Sequence, residues 1–463
     1  MLPTKIVVLG AGSASFGLNT LAGLMSSDRL KGSELALVDK NSESLVLVGQ
    51  LAERLNREWR SEMEITTHTN HLSALEAADY VIVSIEVPPR EQLWRSDYEI
   101  PLKYGVRQPY AENGGPGGFA HAARNIGPIL EIARDMEKMC PQAWMLNFSN
   151  PMIRLCDAVN RYSQINVVGL CHQIYMAYAV VGQLLKDELK VEIDEEFVNT
   201  AATPHQSGIR NQIARQAVDR INIIAAGTNH FTWVLSIFDR RTGEDLYPLF
   251  RERWEATDPA FEPLTKRVFE YFGLFPVAGD EHICEYLPWL SDPVTEPWEK
   301  YDITLYEWEL KEKLRYEGYD RIAKMASNEL DIVDLRDEDS EGAVELVHAL
   351  AGCDYHFHLA LNLPNRGYIT NLPNGAIVEV PGTANGAGVH GIGVGELPQG
   401  IAELCRRELT TSQLCVDAVV QGDRNLAMQS LLLDPVISDI DVAKQILEDY
   451  LITYQDYLPQ FWS

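Results

Sequence analysis

The start of the chain places a β-branched run directly before a glycine turn, and this junction constrains the fold more than any other segment. KIVVL (5–9) is typical of a buried strand, and the periodic LNTLAGLMSS after the glycines is typical of a helix. Gly10 permits a tight turn between them, and Gly12 lets backbone N–H groups approach a pyrophosphate at the helix N-terminus. Strand, glycine turn and helix together predict the first unit of a dinucleotide-binding sheet.

The end of the second predicted strand supports the same interpretation. ELALVDK (34–40) ends at Asp39, whose carboxylate can accept hydrogen bonds from a ribose diol and would repel a 2′-phosphate. We therefore predict NAD as the cofactor, with Ser13 and Phe16 of the glycine turn as further contacts. Ser15 replaces the third glycine of the usual fingerprint, so a purely structural turn beside an exposed Asp39 is the alternative.

Further along the chain, strands and helices alternate. DYVIVSIEV (79–87), WMLNFSN (144–150) and INVVGLC (165–171) are predicted strands, and AARNIGPILEIARDMEKM (122–139) is a predicted amphipathic helix. The pattern predicts an α/β fold in which an N-terminal Rossmann domain, a doubly wound parallel sheet, spans residues 1–190. An α+β domain of the lactate/malate-dehydrogenase type is predicted for residues 191–463, for substrate binding and oligomerisation.

Composition limits the classes of partner. The 463 residues carry a formal net charge of −28, which argues against nucleic-acid and anionic-membrane surfaces because both need excess Lys and Arg. No apolar run is long enough to span a membrane, and the first strand begins too early for a signal peptide. Seven Cys without framework spacing favour reduced thiols. We therefore expect a cytoplasmic protein.

Polar residues with metal-binding chemistry follow several of the predicted strands. Asn150 ends one strand, Cys171 ends the next, and His230 lies in GTNHFTW (227–233). Ligands bind at the carboxyl ends of strands in such a sheet, so Asn150 and Cys171 should lie near each other. An isolated Cys or His is usually a core residue. Thiolate, imidazole and amide together would form an open site suited to Mn²⁺ or a similar divalent ion.

These motifs resemble those of glycoside hydrolase family 4, in the branch that acts on unphosphorylated galacturonides, glucuronides and galactosides. The resemblance covers nearly the whole chain and comprises eight motifs in the same order: GAGSASFG (10–17), IPLKYGVRQ (100–108), GGPGG (114–118), NFSNPM (147–152), GLCH (169–172), GTNHFTW (227–233), AGDEHICEYLPW (278–289) and NLPNRGYITNLPNGAIVEVP (362–381). It implies hydrolysis by a redox route. NAD⁺ takes hydride from C3 of the sugar, a base removes the C2 proton, the aglycone is eliminated, water adds and NADH returns the hydride.

The resemblance also implies roles for individual residues. Cys171 and His230 match the metal ligands, with Mn²⁺ as the expected ion. Asn150, Arg107 and His282 are expected to contact the substrate. His172 is a plausible acid for the leaving group because imidazole titrates near neutrality. For the base, Asp280 is favoured and Tyr271 is the alternative.

His172 occupies a position that commonly holds other residues in relatives acting on 6-phosphorylated sugars, so an unphosphorylated substrate is expected. We predict an acidic sugar, a uronide or a sulfosugar. Its C6 group would need a cationic clamp, for which the candidates are Arg107, Arg154, Arg210 and Arg366. An insertion around residues 185–222, which contains Arg210 and Arg215, is expected to shape the pocket or an oligomer contact.

Two readings from other classes compete with the glycosidase. A plain NAD-dependent 2-hydroxy-acid or sugar dehydrogenase would share the cofactor turn and the sheet but would accumulate NADH and needs no Cys–His metal pair. A non-catalytic NAD-sensing protein fits poorly with polar residues at strand ends beside the cofactor. The close-packed second domain and its aromatic segments predict a homodimer or homotetramer.

Overall fold

A computed structural model provides the three-dimensional structure. It describes residues 3–13, 17–108, 110–193, 207–290, 294–303, 306–337, 340, 342–352 and 354–462. Phe16 lies outside the described residues, and so do residues 194–202 of VEIDEEFVNTAA (191–202), for which the sequence predicts a strand; the predictions made for them stay predictions.

The first part of the chain alternates strands and helices as the sequence predicts. Its elements are β1 (Lys5–Leu9), α1 (Gly17–Ser26), β2 (Glu34–Val38), α2 (Ser42–Trp59), β3 (Glu64–His68), α3 (Leu72–Leu75), β4 (Tyr80–Val83), α4 (Arg90–Leu102), α5 (Gly115–Met139), β5 (Trp144–Asn147), α6 (Met152–Tyr162), β6 (Asn166–Gly169), α7 (Ile174–Leu184) and α8 (Lys186–Leu189).

The second part mixes antiparallel strands with helices. Its elements are α9 (Ser207–Val218), β7 (Ile221–Thr228), β8 (Phe231–Asp239), α10 (Tyr247–Glu255), α11 (Pro263–Phe272), β9 (Phe275–Pro276), α12 (Gly279–Ile283), α13 (Pro297–Lys300), α14 (Trp308–Ala326), α15 (Ala343–Gly352), β10 (His356–Pro364), β11 (Ile377–Asn385), β12 (Gly388–Gly391), α16 (Gln399–Gln421), α17 (Arg424–Leu433) and α18 (Ile440–Thr453).

All the strands join one sheet. Its order is β3-β2-β1-β4-β5-β6-β10-β11-β7-β8-β9, and β12 pairs with β11. The section from β3 to β6 is parallel, whereas β10 is antiparallel to β6 and the pairs beyond it are also antiparallel. The α/β fold with an N-terminal Rossmann sheet is confirmed. The sheet runs without a break across residue 190, and the domain boundary there stays a prediction.

The parallel strands separate two hydrophobic cores. β4 is buried at every position, as expected for a strand covered by helices on both faces. Val7 and Leu9 pack into the core formed with α5 and α6, whereas Ile6 and Val8 pack into the core that contains residues of α1, α2 and α15. This alternation is the two-residue period of a strand.

The structure differs from the sequence predictions in three places. The strand expected over 79–87 ends at Val83, so the chain leaves the sheet early. Helix α5 begins at Gly115, inside the predicted GGPGG turn, because proline is tolerated in the first turn of a helix. Strand β10 begins inside residues 244–360, where aromatic content and helical periodicity in the sequence predict mainly helix. Aromatic and histidine side chains in HFHLALNLP obscure the alternation of apolar and polar residues that indicates a strand.

Two further findings concern the class of protein. Among the described residues, no helix combines the length and the apolar character needed to cross a bilayer. No disulfide joins the six cysteines in the described part of the chain.

Gly10 forms the turn that opens the cofactor end of the sheet. Its φ is 84°, in the left-handed region that favours glycine, and its N–H donates to the Val38 carbonyl at 2.9 Å. A Cβ at this position would collide with the Ser84 carbonyl oxygen of the neighbouring strand. Backbone conformation and close approach therefore both require glycine.

We predict that Gly10→Ala lowers stability more than backbone strain alone explains. Gly243 also has a left-handed φ, 74°, but no atom lies within 4 Å of its hypothetical Cβ. Gly243→Ala should therefore cost only the strain, about 1–2 kcal/mol, whereas Gly10→Ala adds a collision worth about 1–3 kcal/mol. Thermal unfolding of both variants checks this, and equal midpoints would contradict it.

Candidate active site

Cys171 and His230 meet at one edge of the sheet. Cys171 lies just beyond the end of β6, and His230 lies in the tight turn between β7 and β8. The φ of His230 is 63°, a left-handed conformation that is uncommon outside glycine and recurrent at functional sites. Its Nε2 atom lies 3.4 Å from Cys171 Sγ. A nitrogen and a sulfur atom at this separation can bind the same metal ion, because zinc–nitrogen and zinc–sulfur bonds, for comparison, are roughly 2.1 and 2.3 Å long.

Two more candidate ligands lie beside His230. Glu112, His230 and His282 each offer one ligand atom, and these atoms lie within 4.8 Å of one another. The His230 and His282 rings have centroids 4.6 Å apart. The sequence predicts a substrate contact for His282 and no role for Glu112. The signal of Glu112 in the sequence is an acid two residues before GGPGG (114–118), between two recognised motifs.

The electrostatics of His230 suit a metal ligand. Burial lowers the pKa of His230 well below its usual range, and the charges of His282 and His172 lower it further. The imidazole is therefore neutral near pH 7 and keeps a lone pair for a cation. The donor set of Cys171, His230, Glu112 and His282 fits a divalent transition metal rather than the all-oxygen sites of Mg²⁺ and Ca²⁺.

Asn113 is the hydrogen-bond partner of His230 Nδ1. Its Nδ2 atom lies 2.7 Å from His230 Nδ1 and donates to Glu112 Oε2 at 2.9 Å. A metal at Nε2 requires the proton on Nδ1 and hence an acceptor there. A half-turn of the amide would present the Asn113 oxygen to that proton, and would also turn this oxygen towards the Glu112 carboxylate.

The loop that carries Glu112 and Asn113 is fixed from two sides. Glu285 Oε2 accepts hydrogen bonds from the backbone N–H groups of Asn113 (2.9 Å) and Gly114 (3.1 Å). Its other oxygen lies 3.3 Å from His282 Nδ1. Glu285 therefore links the two segments that supply Glu112 and His282, as expected for a residue that supports the site without entering it.

His121, on helix α5, contacts the same loop. Its Nδ1 atom lies 2.9 Å from the Glu112 carbonyl oxygen, and its Nε2 atom lies 2.7 Å from Glu86 Oε2. Burial would raise the pKa of Glu86, but His121 and the Asn125 amide outweigh it and hold that pKa at about 2. Burial would lower the pKa of His121, but the Glu86 carboxylate raises it above its usual value. Both members of this buried pair, Glu86 and His121, are therefore charged.

Asn150 lies beside the same acid. Its Nδ2 atom donates to Glu112 Oε1 at 3.3 Å, and its buried Oδ1 atom has no hydrogen-bond partner among the described residues. A buried amide oxygen without a partner costs free energy, and a ligand hydroxyl would satisfy it. The placement suits the substrate contact expected of Asn150.

The cofactor turn is closed by Asp39. Gly12 N donates to Asp39 Oδ2 at 2.8 Å, and Asn41 N donates to Asp39 Oδ1 at 2.8 Å. A Cβ at Gly12 would lie 2.7 Å from Asp39 Oδ2. Only glycine leaves this concave backbone open, so the turn fits the dinucleotide that the sequence predicts. Ser13 is the last described residue before the gap that includes Phe16.

Three further predicted site residues, His172, Arg107 and Tyr271, lie in different surroundings. His172 is exposed next to Cys171, as a group that meets a leaving group can be. Arg107 Nη2 donates to the Ile303 carbonyl at 2.9 Å, and its guanidinium lies over the Trp298 ring. Tyr271 lies on α11 with its side chain 74% exposed. Its position gives the tyrosine little contact with buried groups.

Asp280 has a structural role that the sequence did not reveal. Its carboxylate accepts hydrogen bonds from the Leu264 and Thr265 N–H groups, at 2.9 and 2.6 Å, in the first turn of α11. Its own N–H donates to Glu262 Oε2 at 2.6 Å. Burial raises the pKa of Asp280, and burial followed by the Asp280 charge raises the pKa of Glu262 to about 8. Each oxygen of Asp280 keeps a second lone pair.

Comparisons with known proteins agree over the whole chain. The family model described as "Family 4 glycosyl hydrolase" matches residues 5–187, and that described as "Family 4 glycosyl hydrolase C-terminal domain" matches residues 225–437. An alpha-glucosidase of Erwinia rhapontici is 30% identical over 99% of both sequences. The chain belongs to glycosyl hydrolase family 4.

Other family 4 proteins extend the likeness. An alpha-galacturonidase of Bacillus subtilis (strain 168) is 29% identical over 96% of both sequences. The solved lplD structure of Bacillus subtilis has a TM-score of 0.82 at 25% identity and covers 97% of this chain and 100% of its own. A 6-phospho-alpha-glucosidase from gut microorganisms, solved with NAD and Mn²⁺, has a TM-score of 0.78 at 19% identity, with 99% of each chain covered. The glycoside hydrolase predicted from the motifs is confirmed.

We predict that Asn113→Leu weakens metal binding by this family 4 hydrolase. Loss of the hydrogen-bond partner of His230 Nδ1 should lower Mn²⁺ affinity by roughly 10- to 100-fold, the usual effect of removing the partner of a ligand histidine. Calorimetric titration with Mn²⁺ measures it, with the exposed Asn211→Leu on α9 as the matched control. Equal affinities in the two variants would contradict the role of Asn113.

We predict that Glu262→Gln removes a pH dependence of stability. A carboxyl whose pKa is raised to about 8 in the folded state keeps its proton there while the unfolded chain loses it. Folding is therefore disfavoured as the pH rises from about 4.5 to about 8, by at most about 1.4 kcal/mol per pH unit. Unfolding at pH 5 and 8 checks this, with exposed Glu255→Gln as control. If stability falls between pH 5 and 8 in Glu262→Gln as much as in the wild type, the assignment to Glu262 is refuted.

Proposed function

We propose that this family 4 hydrolase cleaves an unphosphorylated, acidic glycoside, a uronide or a sulfosugar glycoside, with NAD and a divalent metal, Mn²⁺ being the expected ion. The alpha-galacturonidase among its relatives supports the acidic substrate. The solved 6-phospho-alpha-glucosidase supports both cofactors, since it was determined with NAD and Mn²⁺. The observation that carries the proposal is the 3.4 Å approach of Cys171 Sγ to a neutral His230.

Bound at this site, NAD⁺ would supply a hydride acceptor for C3 of the sugar and the metal would polarise the resulting carbonyl. Gly10, Gly12 and Ser13 shape the turn for the pyrophosphate, and Asp39 receives the ribose diol. The Asp39 carboxylate is already held by Gly12 N and Asn41 N, so it needs no rearrangement to present its remaining lone pairs.

Cys171 and His230 would hold the metal, with Glu112 and His282 beside them. Asn150 would bind a sugar hydroxyl through its unsatisfied Oδ1. His172 would donate a proton to the departing aglycone oxygen, and its exposed position next to Cys171 gives it access to solvent for reprotonation.

For the base that removes the C2 proton we favour Asp280 over Tyr271. Burial raises the pKa of Asp280 towards the range in which a carboxylate works as a base near neutrality. Its helix-capping hydrogen bonds hold the carboxylate in one orientation. Tyr271 is 74% exposed, so packing holds little of its side chain in one orientation. The cytoplasmic location and the dimer or tetramer stay predictions.

We predict that Asp280→Asn lowers kcat by about 100-fold or more, because a positioned base contributes that much. It should also stop exchange of the substrate C2 proton with D₂O, followed by NMR. Loss of the helix cap alone would cost about 0.5–2 kcal/mol of stability with exchange retained. That second pattern would assign Asp280 to structure and move the base to another residue, first Tyr271.

The proposed function is tested by following aglycone and NADH together. Purified protein is incubated with p-nitrophenyl hexosides, hexuronides and a sulfoquinovoside, with NAD⁺ and Mn²⁺ added or withheld. Release of nitrophenol that requires NAD⁺ without net NADH, fastest on an acidic glycoside, is the expected result. Stoichiometric NADH without aglycone release would instead identify a dehydrogenase. Preference for a neutral hexoside would refute the acidic substrate only.

A further inference from the structure

A second cleft adjoins the proposed metal site. It has a volume of about 630 Å³ and lies between α1, α7, α9, α15 and the first half of β10. Cys171 and Tyr175 form part of its wall, and Cys171 Sγ is 3.4 Å from His230 Nε2. We call it the arginine cleft, after Arg215, Arg240 and Arg336 in its lining. A molecule in this cleft would approach the metal site at Cys171.

The charge of the arginine cleft opposes that of the protein. The chain has 67 acidic and 39 basic residues, yet the described lining of the cleft holds three arginines and one carboxylate, Glu345. Arg240 uses its Nε to bond Asn222 Oδ1 at 2.7 Å, and Arg336 stacks 5.0 Å from the Trp59 ring centroid. Within the described part of the chain neither guanidinium forms an ion pair, so both can receive an anion.

Two histidines line the cleft beside the arginines. His358 is 6% exposed, and its Nε2 atom has no hydrogen-bond partner among the described residues. Burial and His356 lower the pKa of His358 to about 4, and burial with Arg29 and His356 lowers that of His348 to about 4. Both imidazoles are therefore neutral near pH 7, and the ring N–H of a neutral imidazole can donate to an anion.

We propose that the arginine cleft binds the anionic group of a small molecule, a carboxylate, sulfonate, sulfate or phosphate. Arginine pairs with such groups through two parallel hydrogen bonds, and the Nε2–H tautomer of the neutral, buried His358 adds a donor. None of the four arginines considered from sequence as a clamp lines this cleft in the described residues.

Two sources can supply this group. One is the acidic substituent of the substrate held at Cys171, which rests on the proposed function. The other is a separate anion that binds beside the substrate. The chemistry is the same, and the experiment separates the sources.

Calorimetric titration of the full-length protein with sodium sulfate and with galacturonate tests binding directly, with galactose as the uncharged probe. The variant Arg240→Gln/Arg336→Gln removes two positive charges. Both positions are exposed, so the substitutions leave the packing of the hydrophobic core unchanged. Arg134→Gln, exposed on α5 and outside the cleft, is the matched control. We expect the double variant to bind both anions about tenfold or more weakly than the wild type, and the affinity of the control to change by less than about twofold. Added NaCl should also weaken anion binding.

Kinetics then identify the source. If the cleft holds the substrate's acidic group, the double variant raises KM for a p-nitrophenyl galacturonide and leaves KM for the galactoside unchanged. If it holds a separate anion, sulfate still binds in the presence of saturating galacturonide. Equal anion affinities in the wild type and the double variant would overturn the proposal. Absence of any glycosidase activity would refute the proposed function but leaves the sulfate titration as an independent readout.

Discussion

β6 and β7 share no hydrogen bonds, yet they deliver Cys171 and His230 to one place, and the buried Glu379 links the strands between them. β10 and β11 separate β6 from β7 in the sheet. On this path Gly169 faces Asn362, Asn362 faces Glu379 and Glu379 faces Gly227. The Glu379 carboxylate accepts from Asn362 Nδ2 at 2.8 Å and from Asn229 Nδ2 at 2.6 Å.

This arrangement explains the turn at His230. Asn229 is fixed by a carboxylate that is 1% exposed, so the backbone that follows it has little freedom. Burial raises the pKa of Glu379, and the two amides partly offset the cost of its charge. The left-handed φ of His230 is then maintained by the network below it rather than by any preference of histidine. A site assembled from distant strands depends on such buried polar contacts, because hydrophobic packing alone does not orient a ring.

Much of the fold and the pair at its centre could be predicted from the sequence, because they follow from local patterns. The strand before Gly10, the acid at Asp39 and the polar residues at strand ends each leave a signature within a few residues. Glu112 leaves none, since it becomes a candidate ligand only when α5 and the 279–286 segment pack together. Asp280 shows the converse case: a motif predicts a chemical role that stays a prediction, and the structure adds a capping contact with α11 that no sequence pattern encodes.

The continuous sheet has a consequence for how this enzyme can move. Enzymes built from two lobes often enclose their substrates by rotating one lobe about a hinge. Here β10 is hydrogen-bonded to β6, and the strands on either side belong to the same sheet. Rotating one half against the other would disrupt the pairing of Gly169 with Asn362 and the cores on both faces of the sheet. We therefore expect side chains and connecting loops, rather than rotation of a lobe, to govern access to the site.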